Sequence, residues 1–153
     1  MPEKQTLERA REDAREGKSP STQAGEFVRE EIEHVREGKH GVKNTKQAIA
    51  IGLSKARRAG VKLPPPKKGK ASSRTRAQAK RDYRKGQSSR RRKPSARRSR
   101  AVEGALKRMP HKAASKKSLS RHAKSVARSR GRASRQASAR KAASTRRHER
   151  KAA

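Results

Sequence analysis

Arginine and lysine are the side chains of this sequence whose number and spacing best support a chemical role. Residues 64–153 contain 33 Lys/Arg, 17 Ala and 14 Ser. Such cations neutralise phosphates and release the counterions condensed on a nucleic acid. Of the 33, 20 are Arg, and a guanidinium can hold a phosphate through two parallel hydrogen bonds. We therefore predict that this segment binds phosphate backbones.

The predicted contacts extend from the end of an apolar segment into the basic tail. We expect nucleic-acid contacts at Lys55, Arg57, Arg58, Lys67, Lys68, Lys70, Arg74, Arg76, Lys80, Arg81, Arg84, Lys85, Arg90, Arg91, Arg92, Lys93, Arg97, Arg98, Arg100, Lys116, Lys117, Arg128, Arg130, Arg132, Arg146 and Arg147.

Charge is segregated along the chain. Residues 1–37 carry seven Lys/Arg and ten Asp/Glu, a net charge of −3, whereas residues 38–153 carry 40 Lys/Arg and three acids, a net charge of +37. Surfaces that only solubilise a protein usually mix both signs. The imbalance therefore indicates a polyanionic partner.

The aromatic content bears on which nucleic acid is bound and how. Phe27 and Tyr83 are the only aromatic residues apart from histidine, and proteins that read single strands stack bases on aromatic rings. We therefore predict largely sequence-independent binding to duplex DNA through its phosphates. Two alternatives stay open: an RNA- or ribosome-associated basic protein, and a protein-interaction module whose acidic arm recruits a partner while the tail tethers it.

Other chemistry has little support in the residue pattern. Glu30, His34 and Glu37 fall on successive helical turns with His40 beyond them, which is compatible with a divalent metal, but we interpret them as a surface helix with incidental partners and predict no metal site. There is no cysteine. We find no nucleophile–base–acid set and no glycine-rich phosphate loop, so we predict a non-enzymatic protein with no cofactor and no small-molecule substrate.

Four segments are expected, and the fold class is mainly α. Residues 1–19 are predicted to be a polar N-terminal helix or arm, residues 20–63 a small helical hairpin, residues 64–94 a Pro-rich and basic linker, and residues 95–153 a Lys/Arg/Ala/Ser-rich tail with short helices. The hydrophobic content of 27% is low and the net charge is high. This combination predicts that the tail is largely disordered, or helical only when its charge is neutralised.

The hairpin has helix start and stop signals at both arms. Pro20 can begin the first helix and Gly38 can end it, while Asn44 can cap a second helix over Thr45–Ala59 that stops at Gly60. The apolar spacing predicts a core of Phe27, Ile32, Val35, Ile49 and Leu53. Because this core is small, we expect a homodimer or a bound partner to complete it.

No membrane segment is expected, because no apolar run approaches the roughly 18 residues needed to span a bilayer. The first residues also lack the apolar stretch of a secretory signal. The predicted location is therefore cytoplasmic, on the nucleoid.

Two stretches resemble a known group of proteins. Glu37-Gly-Lys-His-Gly41 followed by Thr45-Lys-Gln-Ala-Ile-Ala-Ile-Gly-Leu-Ser-Lys-Ala-Arg-Arg-Ala-Gly60, together with Ser95–Arg130, resembles a bacterial family of small, very basic, uncharacterised proteins that are loosely described as DNA-binding or plasmid-stabilisation proteins. The Ala/Lys/Arg/Ser tail is also similar to linker-histone and bacterial histone-like tails. The resemblance implies little about mechanism and assigns no functional residue.

Overall fold

The computed structural model describes residues 2–88 and 95–152, which form seven α-helices and no strand. The helices are α1 Lys4–Arg15, α2 Pro20–Arg36, α3 Thr45–Ala59, α4 Ser73–Gln87, α5 Ala96–Lys107, α6 Lys116–Ser129 and α7 Arg132–Ala152. The prediction of a mainly α protein is confirmed. The chain divides into two compact units between Ser115 and Lys116.

The α2–α3 hairpin forms where the capping signals predicted it. Ser19 caps α2 by accepting a hydrogen bond from the backbone N–H of Thr22, and Asn44 caps α3 by accepting one from Gln47 N at 2.9 Å. Gly60 ends α3 with a φ of 105°, a left-handed conformation that favours glycine. The predicted range of α3, Thr45–Ala59, is the observed range.

Small residues make up the centre of the α2–α3 contact. Ala48 and Ala56 are fully buried, and a Cβ placed on Gly52 would lie 2.6 Å from Val28 Cα. Phe27 and Val35 of α2 are also fully buried. The other three residues of the predicted core, Ile32, Ile49 and Leu53, are only partly buried. The predicted core is therefore only partly correct.

Helix α1 packs against α2 instead of standing apart as an arm. Thr6 and Ala10 are buried, and Leu7 contacts the cluster that contains Phe27 and Val61. The apolar residues of α1 are few, but they match an available surface on the hairpin.

The segment described as a linker in the sequence analysis contains a packed helix. Ala79 and Asp82 of α4 are buried, and a methyl group on Gly86 would overlap the carbonyl oxygen of Arg57. Helix α4 therefore approaches the C-terminal end of α3 closely.

The start of the predicted tail also belongs to the first unit. The turn of the hairpin donates hydrogen bonds from Gly41 N to Leu106 O and from Val42 N to Pro110 O. Ala114, at the end of a short 3-10 turn, is buried in the cluster that contains Val35, Val42 and Ala48. Residues from about 70 positions downstream thus supply apolar surface that the hairpin alone lacks.

The second unit consists of α6 and α7, so the structure indicates no long disordered tail. Alanine, arginine and lysine are strong helix formers, and here their propensity prevails over charge repulsion. Helix α7 has 21 residues and is about 30 Å long. None of the helices in the described part of the chain is long and apolar enough to cross a membrane.

Candidate nucleic-acid interface

The three cations predicted to bind phosphate at the end of α3 also contact groups within the protein, and of the three the Arg58 side chain is the most exposed, at 54%. Lys55 Nζ lies 2.7 Å from Glu31 Oε2 and 3.2 Å from Glu30 Oε1. Both glutamates are in α2 and are almost completely buried. Lys55 therefore neutralises two acids of the first helix of the hairpin.

Glu30 has further partners that keep it ionised. Burial alone would raise its pKa, but hydrogen bonds from Thr6, from the backbone N–H of Glu3 and from Lys55 together lower the pKa below its usual value. Because Glu3 and Thr6 belong to the start of α1 or precede it, this buried carboxylate joins α1, α2 and α3.

Arg57 holds the chain that leaves α3. Its side chain is buried, and it donates hydrogen bonds from Nε to Leu63 O at 3.2 Å and from Nη2 to Pro64 O at 3.3 Å. Burial lowers the pKa of the guanidinium, and the Asp82 carboxylate partly offsets this effect. A side chain placed in this way is not available to an external phosphate.

Arg58 binds the one acid of α4. Its Nε donates to Asp82 Oδ1 at 2.8 Å, and Asp82 also accepts hydrogen bonds from Ser54 Oγ at 2.7 Å and from Gln78. Burial would raise the pKa of Asp82, but these three donors lower it below its usual value. The ion pair fixes α4 against α3.

Helix α4 carries exposed cations on the residues that do not pack against α3. Arg74, Arg81, Arg84 and Lys85 are all exposed, whereas Ala79 and Asp82 of the same helix are buried. The remaining predicted contacts of this helix, Arg76 and Lys80, are exposed as well. These cations belong to the folded unit and are held in place by the packing of α4 on α3.

Most of the other predicted cations are also exposed. They include Lys67, Lys68, Lys70, Arg97, Arg98, Arg100, Lys116, Lys117, Arg128, Arg130, Arg132, Arg146 and Arg147. The predicted contacts at Arg90, Arg91, Arg92 and Lys93 lie outside the described residues.

Helix α6 presents the most regular row of cations. Lys117, Arg121, Lys124 and Arg128 are spaced at i, i+4, i+7 and i+11, which places them on one helix face. They line a shallow open groove together with Ser120 and Ser125. All four cations are exposed, and none of the acidic side chains that the structure describes pairs with them.

The sequence prediction named Lys117 and Arg128 in this row but missed Arg121 and Lys124. The helical spacing of the four residues would have identified them. At a rise of about 1.5 Å per residue the row extends over roughly 16 Å. Two hydroxyl groups between the cations add hydrogen-bond donors, so the face can bind several neighbouring phosphates.

The aromatic side chains do not form a surface for base stacking. Phe27 is fully buried in the hairpin core, and Tyr83 is half-buried on α4. Among the described residues, neither ring is therefore fully exposed for stacking against a base.

Comparison with known proteins finds one family match, which covers the hairpin and the segment that follows it. A family of unknown function, DUF6496, matches residues 20–68, which cover α2, α3 and the proline-rich segment that follows. This match spans about a third of the chain. No curated protein matches, and no solved structure matches.

Proposed function

We propose that this protein is a non-enzymatic, nucleoid-associated DNA-binding protein that contacts duplex DNA through its phosphates with little dependence on base sequence. The observation that carries the proposal is the row Lys117, Arg121, Lys124 and Arg128, whose charges are exposed and lack acid partners in the described part of the chain. The resemblance to loosely named DNA-binding proteins agrees with it.

The packed unit that includes α1 to α4 provides a second contact surface in this proposal. Helix α4 carries the exposed cations Arg74, Arg81, Arg84 and Lys85 and is fixed by the Arg58–Asp82 ion pair. The tail helices bind more phosphates and gain helical stability as their charge is neutralised. Homodimerisation through the hairpin is not needed to supply a core, because α1, α4 and residues 106–114 already pack on it.

Duplex DNA is favoured over single strands because Phe27 is fully buried and Tyr83 is half-buried, whereas proteins that bind single strands stack bases on exposed aromatic rings. The test is a competition experiment in which the whole chain, bound to a fluorescent DNA duplex, is titrated with unlabelled duplexes of two unrelated sequences, single-stranded DNA and structured RNA. We expect both duplexes to compete equally and better than the other two nucleic acids. Stronger competition by structured RNA would replace this proposal with an RNA- or ribosome-associated function.

A further inference from the structure

Three side chains that commonly bind metal ions meet at the end of α2. Glu31 and His34 are three residues apart in α2 and therefore share one face of the helix, and His40 lies in the turn before α3. One potential ligand atom of each residue lies within 4.8 Å of those of the other two. We propose that Glu31, His34 and His40 form a binding site for a divalent transition-metal ion, with Zn²⁺ as the best match.

The donor set determines which metals fit. Two imidazoles and one carboxylate suit Zn²⁺, which often takes three protein ligands and completes its tetrahedron with water. Mg²⁺ and Ca²⁺ prefer sites made of oxygen atoms only. The proposed site is therefore selective for Zn²⁺ over these two ions.

Glu31 is a buried carboxylate whose hydrogen-bonding needs are not met. It has no exposed surface, and neither oxygen has a hydrogen-bond partner in the described part of the chain. Lys55 Nζ lies 2.7 Å from Oε2 and forms an ion pair with it, but the angles at the two atoms do not suit a hydrogen bond. The other oxygen, Oε1, faces His40 Nε2 at 3.3 Å.

The hydrogen bond of His40 fixes which ring nitrogen is available. Nδ1 lies 3.2 Å from Gly41 O, and because a carbonyl oxygen can only accept, Nδ1 carries the hydrogen. In the neutral ring Nε2 then directs a lone pair toward Glu31 Oε1. A metal ion bound by both atoms would satisfy two acceptors that face each other in this way.

The outer contacts of the two histidines also fit a metal site. A metal-bound imidazole usually donates its second ring N–H to a carboxylate or a carbonyl oxygen, which fixes the orientation of the ring. Gly41 O has this role for His40, and Glu3 Oε1, 2.8 Å from His34 Nε2, supplies a carboxylate contact for His34.

The sequence placed Glu30, His34 and Glu37 on successive turns with His40 beyond them, and we interpreted this set as surface residues with incidental partners. In the structure Glu30 binds Glu3 N and Lys55, and Glu37 is exposed beside Lys39. Glu31 replaces both because it is the acid of α2 that faces the turn containing His40. Helical periodicity could not show this, since the position of the turn depends on how residues 40–42 pack.

The test is a titration of the chelator-treated whole chain with Zn²⁺ by calorimetry, with Mg²⁺ as the control ion. We expect one Zn²⁺ to bind per chain and to raise the melting temperature, with no such effect from Mg²⁺. Replacing His34 and His40 by Gln should weaken Zn²⁺ binding by more than about tenfold and abolish the thermal shift. His148→Gln, an exposed histidine of α7, should leave both unchanged.

Because His34 lies within a helix, His40→Gln alone is the second variant, and circular dichroism verifies its fold. Zn²⁺ binding to the folded His40→Gln protein with wild-type affinity would overturn the proposal. Failure of the wild-type chain to bind Zn²⁺ would also overturn it.

Discussion

Helices α3 and α6 carry similar cations but use them in opposite ways. In α3, Lys55 neutralises two buried glutamates, and Arg58 binds Asp82. In α6, Lys117 and Arg121 belong to an exposed row without acid partners among the described residues. Whether a cation of this chain forms an internal ion pair or stays exposed therefore depends on which acceptors the fold places beside it.

The supply of acids explains the difference. Ten of the 13 acidic residues lie in residues 1–37, where α1 and α2 place them beside α3. Of the three later acids, Asp82 binds Arg58 and Glu103 pairs with Lys107 at 2.9 Å. The sequence of α6 and α7 therefore contains many more cations than acids.

The largest expected effect comes from removing a cation of α3. Lys55→Gln leaves Glu30 and Glu31 buried without their counter-charge, so we expect the free energy of unfolding to fall by about 3–5 kcal/mol. Urea denaturation measures this change. Lys62→Gln removes an exposed lysine from the segment after α3 and should have almost no effect. Equal loss of stability in the two variants would mean that the cations near α3 are not used differently from those on the surface.

The Asp82 carboxylate should have the next largest effect. Asp82→Asn removes a charge from the hydrogen bonds with Arg58, Ser54 and Gln78, so we expect a loss of about 2 kcal/mol near pH 7. Its pKa in the folded protein lies below the usual value. The stabilisation is therefore complete above the unfolded-state pKa of about 3.9 and is lost as the pH falls through the lowered pKa.

Melting temperatures between pH 2 and pH 7 measure this pH dependence. The wild-type curve should fall more steeply below pH 4 than that of Asp82→Asn, although Glu30 contributes a similar fall to both because its pKa is also lowered. Glu103→Gln, which removes an exposed acid, should follow the wild-type curve. Parallel curves for wild type and Asp82→Asn would contradict the role assigned to this ion pair.

Substitutions of Gly52 in the hairpin and Gly104 in α5 test how closely each helix is packed, because α5 has no buried residue. Gly52→Ala would place a Cβ 2.6 Å from Val28 Cα, so we expect it to destabilise the protein by about 1–3 kcal/mol. Gly104→Ala in α5 meets nothing within 4 Å and should leave stability unchanged or raise it by up to about 1 kcal/mol. Thermal unfolding of both variants checks the opposite signs, and a stabilising Gly52→Ala would show that α2 and α3 lie farther apart.

Local signals were sufficient to predict the hairpin, whereas contacts distant in sequence were not predictable. Asn44 and Gly60 mark the ends of α3 through capping chemistry that depends on neighbouring residues. The packing of α4 depends on Asp82 and Gly86, which read as an isolated acid and a helix breaker in a basic segment. The burial of Ala114 could not be predicted either, because it depends on a contact with residues distant in sequence.

Composition predicted a cationic interface, but it could not show which cations are exposed and which are buried. Charge density marks the exposed cations of α4 and α6 in the same way as Arg57, although Arg57 is buried under the chain that follows α3. Acceptors for Arg57 are backbone carbonyl oxygens, and every residue carries one, so no residue type indicates this contact in advance.

The salt dependence of duplex DNA binding tests whether the exposed cations of α6, and not the cations paired with acids, bind the DNA phosphates. The logarithm of the affinity of the whole chain should fall with the logarithm of salt concentration with a slope on the order of −5 or steeper. Arg121→Gln should reduce the magnitude of this slope by about 0.9, and replacing Lys117, Arg121, Lys124 and Arg128 together by Gln should reduce it by about 3–4. Arg29→Gln removes one charge from a cation of α2 that pairs with Glu33 at 3.3 Å, and it should leave the slope unchanged. An equal reduction by Arg29→Gln and Arg121→Gln, or an unchanged slope in the fourfold variant, would show that the row on α6 does not bind the DNA phosphates.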